Sequence, residues 1–144
     1  MAFTGNFMCT SFKVELMTAT HDFTNSSGNT FNIAMYDNNS SFTAATTAYT
    51  ATDEVSGTAY VAKGNTLVNV TPTSSSTTAY TDFGDSTWSS STITARGAMI
   101  FNDTASGDPS VVILDFGSDK SSSSGDFTIV FPTGDSTSAI IRIA

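Results

Sequence analysis

The sequence predicts a mainly β protein, folded as an antiparallel β-sandwich or jelly-roll-like domain with one short N-terminal helix. Three observations lead to this prediction. Apolar and polar residues alternate in several short segments, and turn-forming residues recur at intervals of about 8 to 12 positions. Ser, Thr and Asn fill most polar positions and disfavour helices. No repeat of fixed period indicates a solenoid or propeller. The 144 residues suit a single β-sandwich domain, 1–144.

The helix is predicted at residues 10–20, with Thr10 or Ser11 as its N-cap. Three apolar residues would share one helical face: Phe12, Leu16 and Ala19. An alternating, strand-like pattern competes over residues 12–16. The good helix formers Lys13, Glu15 and Met17 favour a helix of two turns.

The first strands are predicted from alternation and turns. Residues 30–37 show the period-two pattern of a half-buried strand. Residues 65–71 and 77–83 predict a hairpin whose turn lies at 72–76. Residues 42–52 are too weakly patterned to assign. Residues 53–64 predict a loop or a short irregular strand that packs Tyr60.

A second hairpin is predicted near the C terminus. Residues 111–116 are apolar on both faces and should be a covered central strand, with residues 126–131 as its partner across a polar, serine-rich loop. Residues 139–143 form a further strand available to pair nearby. Residues 93–101 predict a longer strand in which Gly97 marks a bulge or a close backbone approach.

Charge narrows the classes of partner. Five basic and thirteen acidic residues give a net charge of −8, so the sequence predicts no direct contact with nucleic acid. No apolar run approaches the roughly 20 residues of a membrane helix, and residues 1–8 lack the pattern of a secretory signal. We therefore expect synthesis in a cytoplasm and no membrane partner. Cys9 is the single cysteine and is predicted to be a small buried side chain.

No catalytic pattern stands out. His21 is the one histidine and is predicted to be a structural residue at the end of an element. Three single acids could meet in space, but no spacing selects a pair: Glu54, Asp82 and Asp115. Two acidic pairs could bind calcium, although neither fits the EF-hand spacing: Asp103 with Asp108, and Asp119 with Asp126. The sequence thus predicts no enzyme, no cofactor and no metal site.

Five residues are predicted as possible contacts with a partner. Arg96 and Arg142 lie on strands, where an arginine must face solvent, meet a carboxylate or meet a neighbouring chain. Tyr60 and Tyr80 lie near Ser/Thr-rich turns, and Trp88 is the one tryptophan. These three aromatic rings are candidate platforms for a glycan or a protein neighbour.

Several segments resemble a family of small virion proteins encoded by tailed bacteriophages, many of them marine. The likeness includes residues 1–36 and five later segments: 53–60 (DEVSGTAY), 87–98 (TWSSSTITARGA), 114–120 (LDFGSDK), 125–132 (GDFTIVFP) and 139–143 (AIIRI). This resemblance implies a structural component of the particle. Small, acidic, β-rich proteins of this kind look like capsid decoration or cement proteins, which bind the outside of the shell, commonly as trimers.

The resemblance leaves alternatives open. The expected partner is the major capsid protein or another virion protein, and the expected location is the virion, at the capsid exterior. A tail-tube, adaptor or fibre component can share the same size and composition. A glycan- or receptor-binding module of the tail would use Tyr60, Tyr80 or Trp88 as stacking surfaces. An enzyme acting on host glycan is the third possibility.

Overall fold

A computed structural model describes residues 3–144 and confirms a mainly β, antiparallel fold with one short N-terminal helix. The elements, in chain order, are β1 (Phe7–Met8), α1 (Thr10–Met17), β2 (Phe31–Tyr36), β3 (Asn65–Thr66), β4 (Asn69–Ser75), β5 (Thr78–Phe83), β6 (Ser86–Ser91), β7 (Thr94–Asn102), β8 (Ser110–Ser121), β9 (Gly125–Ile129) and β10 (Ile141–Ile143). The helix among the described residues is too short to cross a membrane.

The strands form three sheets. The largest has five strands in the order β1-β8-β7-β2-β3, the second has the order β10-β5-β4, and the third pairs β6 with β9. Every ladder between these strands is antiparallel. The strand order places β1 and β10 at the outside of their sheets, which matters for the site described below.

The five-stranded sheet is covered on both faces. On one face Phe31 stacks on Phe23 with ring centroids 4.4 Å apart, and Phe83 from β5 packs beside them at 5.8 Å from Phe31. On the other face Tyr49 stacks on Phe101 at 4.7 Å. Residues 37–64, which contribute Tyr49, therefore act as a second cover. All six residues of β2 are buried, so the predicted half-buried strand is wrong in its burial because β2 lies between two neighbours and two covers.

The predicted helix is confirmed, but its predicted cap is wrong. The N-cap residue is Cys9, which makes no side-chain capping bond, and Cys9 is buried as expected. Cys9 instead continues the ladder of β1, since its N–H donates to Val111 O at 3.0 Å. Phe12 is fully buried against Phe23. Ala19 lies beyond the helix with a φ of 58°, so it does not share the face of Phe12.

The first predicted hairpin is confirmed as β4–β5, with its turn shifted. Ser75 pairs with Thr78, so the turn centres on Ser76, whose φ of 53° suits a tight reversal. Pro72 lies inside β4, where the register shifts between Val70 and Thr73. A proline has no N–H for the ladder, so it is accommodated at this irregularity rather than in the turn. Residues 65–66 form β3 and pair with β2.

The predicted C-terminal hairpin is wrong in its pairing. Residues 111–116 do lie in a strand, β8, between β1 and β7, but β9 pairs with β6 and not with β8. The β7–β8 ladder reaches Thr94↔Ser121, and the β6–β9 ladder resumes at Ser91↔Gly125 in nearly the same register. Strands β6 to β9 thus form one long antiparallel ribbon that reverses at residues 103–109.

The serine-rich segment is a bend in this ribbon rather than a hairpin loop. Ser122 N–H donates to Ile93 O at 2.9 Å, and the Ser91 and Ser122 hydroxyls are 2.7 Å apart. Ser121 and Thr94 hydroxyls are 2.8 Å apart. These cross-strand bonds hold the two strands together through the bend, so residues 121–122 are tied to β6 and β7 and are not a free loop.

Gly97 is confirmed as a close backbone approach and also lies at a bulge. The register of β7 and β8 shifts between Ala95 and Gly97. A Cβ atom at Gly97 would collide with Leu114 O and would lie 2.6 Å from the Phe3 ring.

The last predicted strand is β10, which pairs with β5 rather than with the C-terminal apolar runs.

Candidate functional site

The buried His21 uses both of its ring nitrogens inside the fold. Its Nε2 lies 2.8 Å from Glu15 Oε2, and its Nδ1 lies 3.0 Å from Asn102 Nδ2. Asn102 Oδ1 accepts hydrogen bonds from the backbone N–H groups of Thr104 and Ala105. The Asn102 amide nitrogen must therefore donate to Nδ1, and the imidazole proton lies on Nε2 and is donated to Glu15. This arrangement matches the predicted structural role.

Glu54 anchors the loop that covers the central sheet. Its carboxylate accepts hydrogen bonds from the Tyr49 hydroxyl at 2.6 Å, the Tyr60 hydroxyl at 2.7 Å and the Lys63 N–H at 2.7 Å. The Tyr60 oxygen also accepts a bond from Met35 N–H at 2.9 Å. Burial and the bond to Glu54 raise the pKa of Tyr49 to about 12, and burial raises the pKa of Tyr60 further. Both hydroxyls therefore stay protonated at neutral pH and donate hydrogen bonds to Glu54.

The acidic pair Asp103 and Asp108 does meet in space, around an ammonium group. Lys63 Nζ lies 2.7 Å from Asp103 Oδ1 and 2.9 Å from Asp108 Oδ2. These hydrogen bonds raise the pKa of Lys63. The same Nζ lies 5.6 Å from the centroid of the Tyr49 ring and 5.8 Å from that of Phe101, within cation–π range. Lys63 thus occupies the position that a calcium ion would take between the two carboxylates.

The other acids serve separate partners. Asp126 Oδ1 accepts from Ser90 N–H at 3.0 Å, and Asp119 is exposed. Asp82 accepts from Phe83 N–H and Ile140 N–H. Within residues 3–144, no group of three or more His, Cys, Asp or Glu side chains gathers in a way that could hold a metal ion.

Three of the five predicted contact residues, Tyr60, Trp88 and Arg96, have partners within the fold. Trp88 is only 2% exposed, stacks on Tyr60 with centroids 6.0 Å apart, and meets the Phe127 ring edge-on at 6.3 Å. Arg96 Nε donates to Asp115 Oδ1 at 3.2 Å across β7 and β8. The Trp88 ring has no open face for a glycan in this arrangement, and Arg96 has an internal carboxylate.

The remaining two lie side by side at one edge of the molecule. Tyr80 of β5 and Arg142 of β10 are direct partners in the antiparallel ladder. Residues directly opposite each other share a sheet face, so the fold brings together two predicted contacts that are far apart in sequence. A contact of either residue with a partner stays a prediction.

Strand β10 separates two surface grooves. The first, called the apolar groove, has a volume of about 120 Å³ and lies between α1 and the three-stranded sheet. Its lining is Leu16, Phe23, Pro72, Ala79, Tyr80, Thr81, Ile141 and Ile143. Ile143 is 55% exposed, and Met17, which follows Leu16 at the end of α1, is 81% exposed. An apolar groove with an exposed apolar side chain, Ile143, in its lining is typical of a surface that another protein covers.

The second, called the edge groove, has a volume of about 310 Å³ and lies between β1 and β10. Its lining is Asn6, Phe7, Met8, Val112, Leu114, Ser138, Ala139, Ile140 and Arg142. Arg142 is the one charged side chain in this lining and is exposed. The described residues supply no ion pair to Arg142, in contrast to Arg96 and Lys63.

Sequence reasoning missed both the Glu54 cluster and the edge groove. The cluster had a weak signal, because Tyr49 and Tyr60 flank Glu54 within a segment that no strand pattern explains. The edge groove had none, because Phe7 and Arg142 come from opposite ends of the sequence.

The comparisons with known proteins give no relative. No protein-family model matches the chain, and neither a curated protein nor a solved structure matches it.

Proposed function

We propose that the chain is a non-enzymatic structural component of a tailed-phage virion, namely a capsid decoration (cement) protein that binds the outer surface of the shell. The resemblance of the segments quoted above to phage virion proteins supports the assignment to a virion. One structural observation supports the mode of action: the polar clusters at His21 and Glu54 are used within the fold, whereas the apolar groove beside β10 is open. The chain therefore acts by binding rather than by chemistry.

Charge supports a position outside the shell. A net charge of −8 would repel packaged DNA, and no basic face is available from five Lys and Arg residues, two of which are paired with aspartates. The proposed partner is the major capsid protein or another virion protein, and the proposed assembly is a homo-oligomer, with a trimer favoured. The location follows as the capsid exterior.

The proposed mechanism is mass action on the assembled shell. A protein that spans neighbouring coat subunits removes their apolar surface from water and binds only where those subunits stand together. Binding to the assembled state alone stabilises it by RT ln(1 + [L]/Kd), which is about 2.7 kcal/mol at a free concentration of a hundred times Kd. The covers on both faces of the five-stranded sheet provide a rigid body for this clamp.

The test compares phage particles with and without this protein for genome retention on heating. We expect particles that lack it to release DNA at a lower temperature, and equal retention would overturn the cement function. Imaging of intact particles should place the copies on the shell. A position at the tail tip, with binding of the isolated chain to host polysaccharide, would instead assign it to receptor recognition.

A matched pair of variants tests the surface. Ile143→Ser removes an exposed apolar side chain from the apolar groove, and Val61→Ser removes one that is 73% exposed on the covering loop. Both changes should leave the fold intact, because both side chains are largely in water. We expect Ile143→Ser to reduce occupancy on the particle and Val61→Ser to keep it. Equal occupancy for the two variants would contradict binding through the apolar groove.

A further inference from the structure

We propose that the edge groove accepts an extended segment of the partner protein as an added β-strand, and that an acidic residue of this segment binds Arg142. This inference rests on the proposed function and names the chemistry of the partner. The segment carries apolar residues at alternate positions and one carboxylate, and its other side chains are neutral or basic.

The backbone supports strand addition. β1 ends the five-stranded sheet and β10 ends the three-stranded sheet, and both strands line the same groove. β1 has two residues and β10 has three, and alternate residues of an edge strand direct their N–H and C=O groups away from the paired strand, so each strand has one or two residues available for pairing. A segment placed between these two strands would be able to pair with either, which is the geometry of recognition by strand addition.

The side chains support an apolar segment. Four residues of the lining are half-buried, so part of each apolar surface still faces the groove: Phe7, Met8, Leu114 and Ile140. The groove, with a volume of about 310 Å³, is open to solvent water. Displacing this water from apolar walls favours a ligand with apolar side chains.

Arg142 supplies the specificity for charge. Its guanidinium is exposed and lacks an ion pair among the described residues, whereas Arg96 bonds Asp115 and Lys63 bonds two aspartates. A carboxylate of the partner would complete the pair, with bidentate geometry available to arginine. The net charge of −8 disfavours further acids in the segment.

Charge also argues against a second copy of β10 as the occupant. Antiparallel pairing of β10 with itself, centred on the middle residue, would place Arg142 opposite Arg142. Like charges directly opposite each other are destabilising. Two copies would also bring together two bodies of charge −8. A different chain with a carboxylate at this position avoids both the contact between two arginines and the repulsion between two acidic copies.

The experiment sorts a displayed pool of nine-residue peptides against the full chain. Each peptide has Val, Ile, Leu or Phe at alternate positions and Glu, Gln or Lys at the centre. We expect the wild-type chain to enrich central Glu over central Lys by about tenfold or more, as an opposite-charge contact would. Arg142→Glu should reverse this preference, and Lys120→Glu, the same charge change at an exposed residue of β8, should keep it.

Amide hydrogen exchange on the full chain reports the site. Bound peptides of the enriched class should slow exchange at residues 7–8 and 140–143. The proposal would be overturned by any of three results: no enrichment for central Glu, an unchanged preference in Arg142→Glu, or slowed amide exchange at other residues. Self-association of the free chain that is lost in Arg142→Glu would also overturn it by assigning the groove to a second copy. Genome retention on heating is independent of this readout, so either proposal can fail alone.

Discussion

At the scale of single residues, one carboxylate holds a long covering segment in place. Residues 37–64 contain isolated bridges but no strand. Loops of this length without secondary structure are uncommon in compact domains. Glu54 gathers two tyrosine hydroxyls and a backbone N–H from this segment. Lys63 joins the same segment to the turn of the long ribbon through Asp103 and Asp108. Side-chain bonds therefore replace the ladder that a strand would have supplied.

The Glu54 cluster predicts a specific loss of stability. Glu54→Gln replaces a charged acceptor of three bonds by a group whose amide nitrogen cannot accept, which should lower the free energy of unfolding by about 2 kcal/mol. Tyr49→Phe removes one of these bonds and should cost about 1 kcal/mol. Urea unfolding at pH 7 measures both. The control is Asp119→Asn at an exposed site, and a Glu54→Gln effect no larger than this control would contradict the cluster.

Asp82 predicts a component of stability that depends on pH. Asp82 is only 2% exposed, and its burial raises its pKa above the ordinary value of 3.8. The folded state thus holds this proton to a higher pH than the unfolded state does. The contribution of Asp82 to the free energy of unfolding is largest below pH 3.8 and falls as the pH rises through its folded pKa.

The measurement is urea unfolding of the wild type and Asp82→Asn between pH 4 and 7. The carboxyl groups of Asp22 and Asp135 have lowered pKa values and contribute in the opposite direction. The difference between wild type and variant reports Asp82 together with its charge interactions with Asp135 and Asp85. We expect the wild type to lose stability relative to Asp82→Asn as pH rises, and a difference that is constant with pH would contradict the assignment.

At the scale of elements, the close approach of β7 and β8 depends on a missing side chain. Gly97 lies where a Cβ atom would collide with Leu114 O and the Phe3 ring. Gly97→Ala should lower the free energy of unfolding by about 3 kcal/mol, because a backbone carbonyl cannot move aside as a side chain can. Gly84→Ala is the control, since its Cβ would meet Val68 at an ordinary 3.5 Å. Thermal or urea unfolding should separate the two variants, and similar values would argue against the tight packing at Gly97.

At the scale of the whole molecule, the excess of acids predicts a response to salt. A net charge of −8 opposes compaction through self-repulsion, and this repulsion is screened when the Debye length falls from about 30 Å at 0.01 M to about 8 Å at 0.15 M salt. We expect the urea midpoint to rise between these two concentrations of NaCl. Lys63→Met should steepen this rise because it removes a cation. A midpoint that falls with salt would show that favourable ion pairs outweigh the net charge.

Much of the fold was open to prediction from the sequence, and the site was not. Alternation and local turns identified the strands at residues 30–37, 77–83 and 93–101, and good helix formers identified the helix that follows Cys9. These features depend on neighbours a few positions away. The sequence alone also determined the acidity of the surface and the expectation that Gly97 approaches another backbone, which the structure confirms.

Only the tertiary structure decided which strands pair and which polar residues remain open. By pattern, the apolar runs at 111–116 and 126–131 are consistent with a hairpin. In the structure, the turn at 103–109 pairs β8 with β7, and the same ribbon continues with β9 paired to β6. Burial made Trp88 internal and Asp115 supplies an ion pair to Arg96, although their residue types favoured contacts with a partner. Tyr80 and Arg142 became neighbours through β10–β5 pairing. Side-chain pattern sets the face that a strand buries, whereas its neighbour is set by the packing of the whole chain.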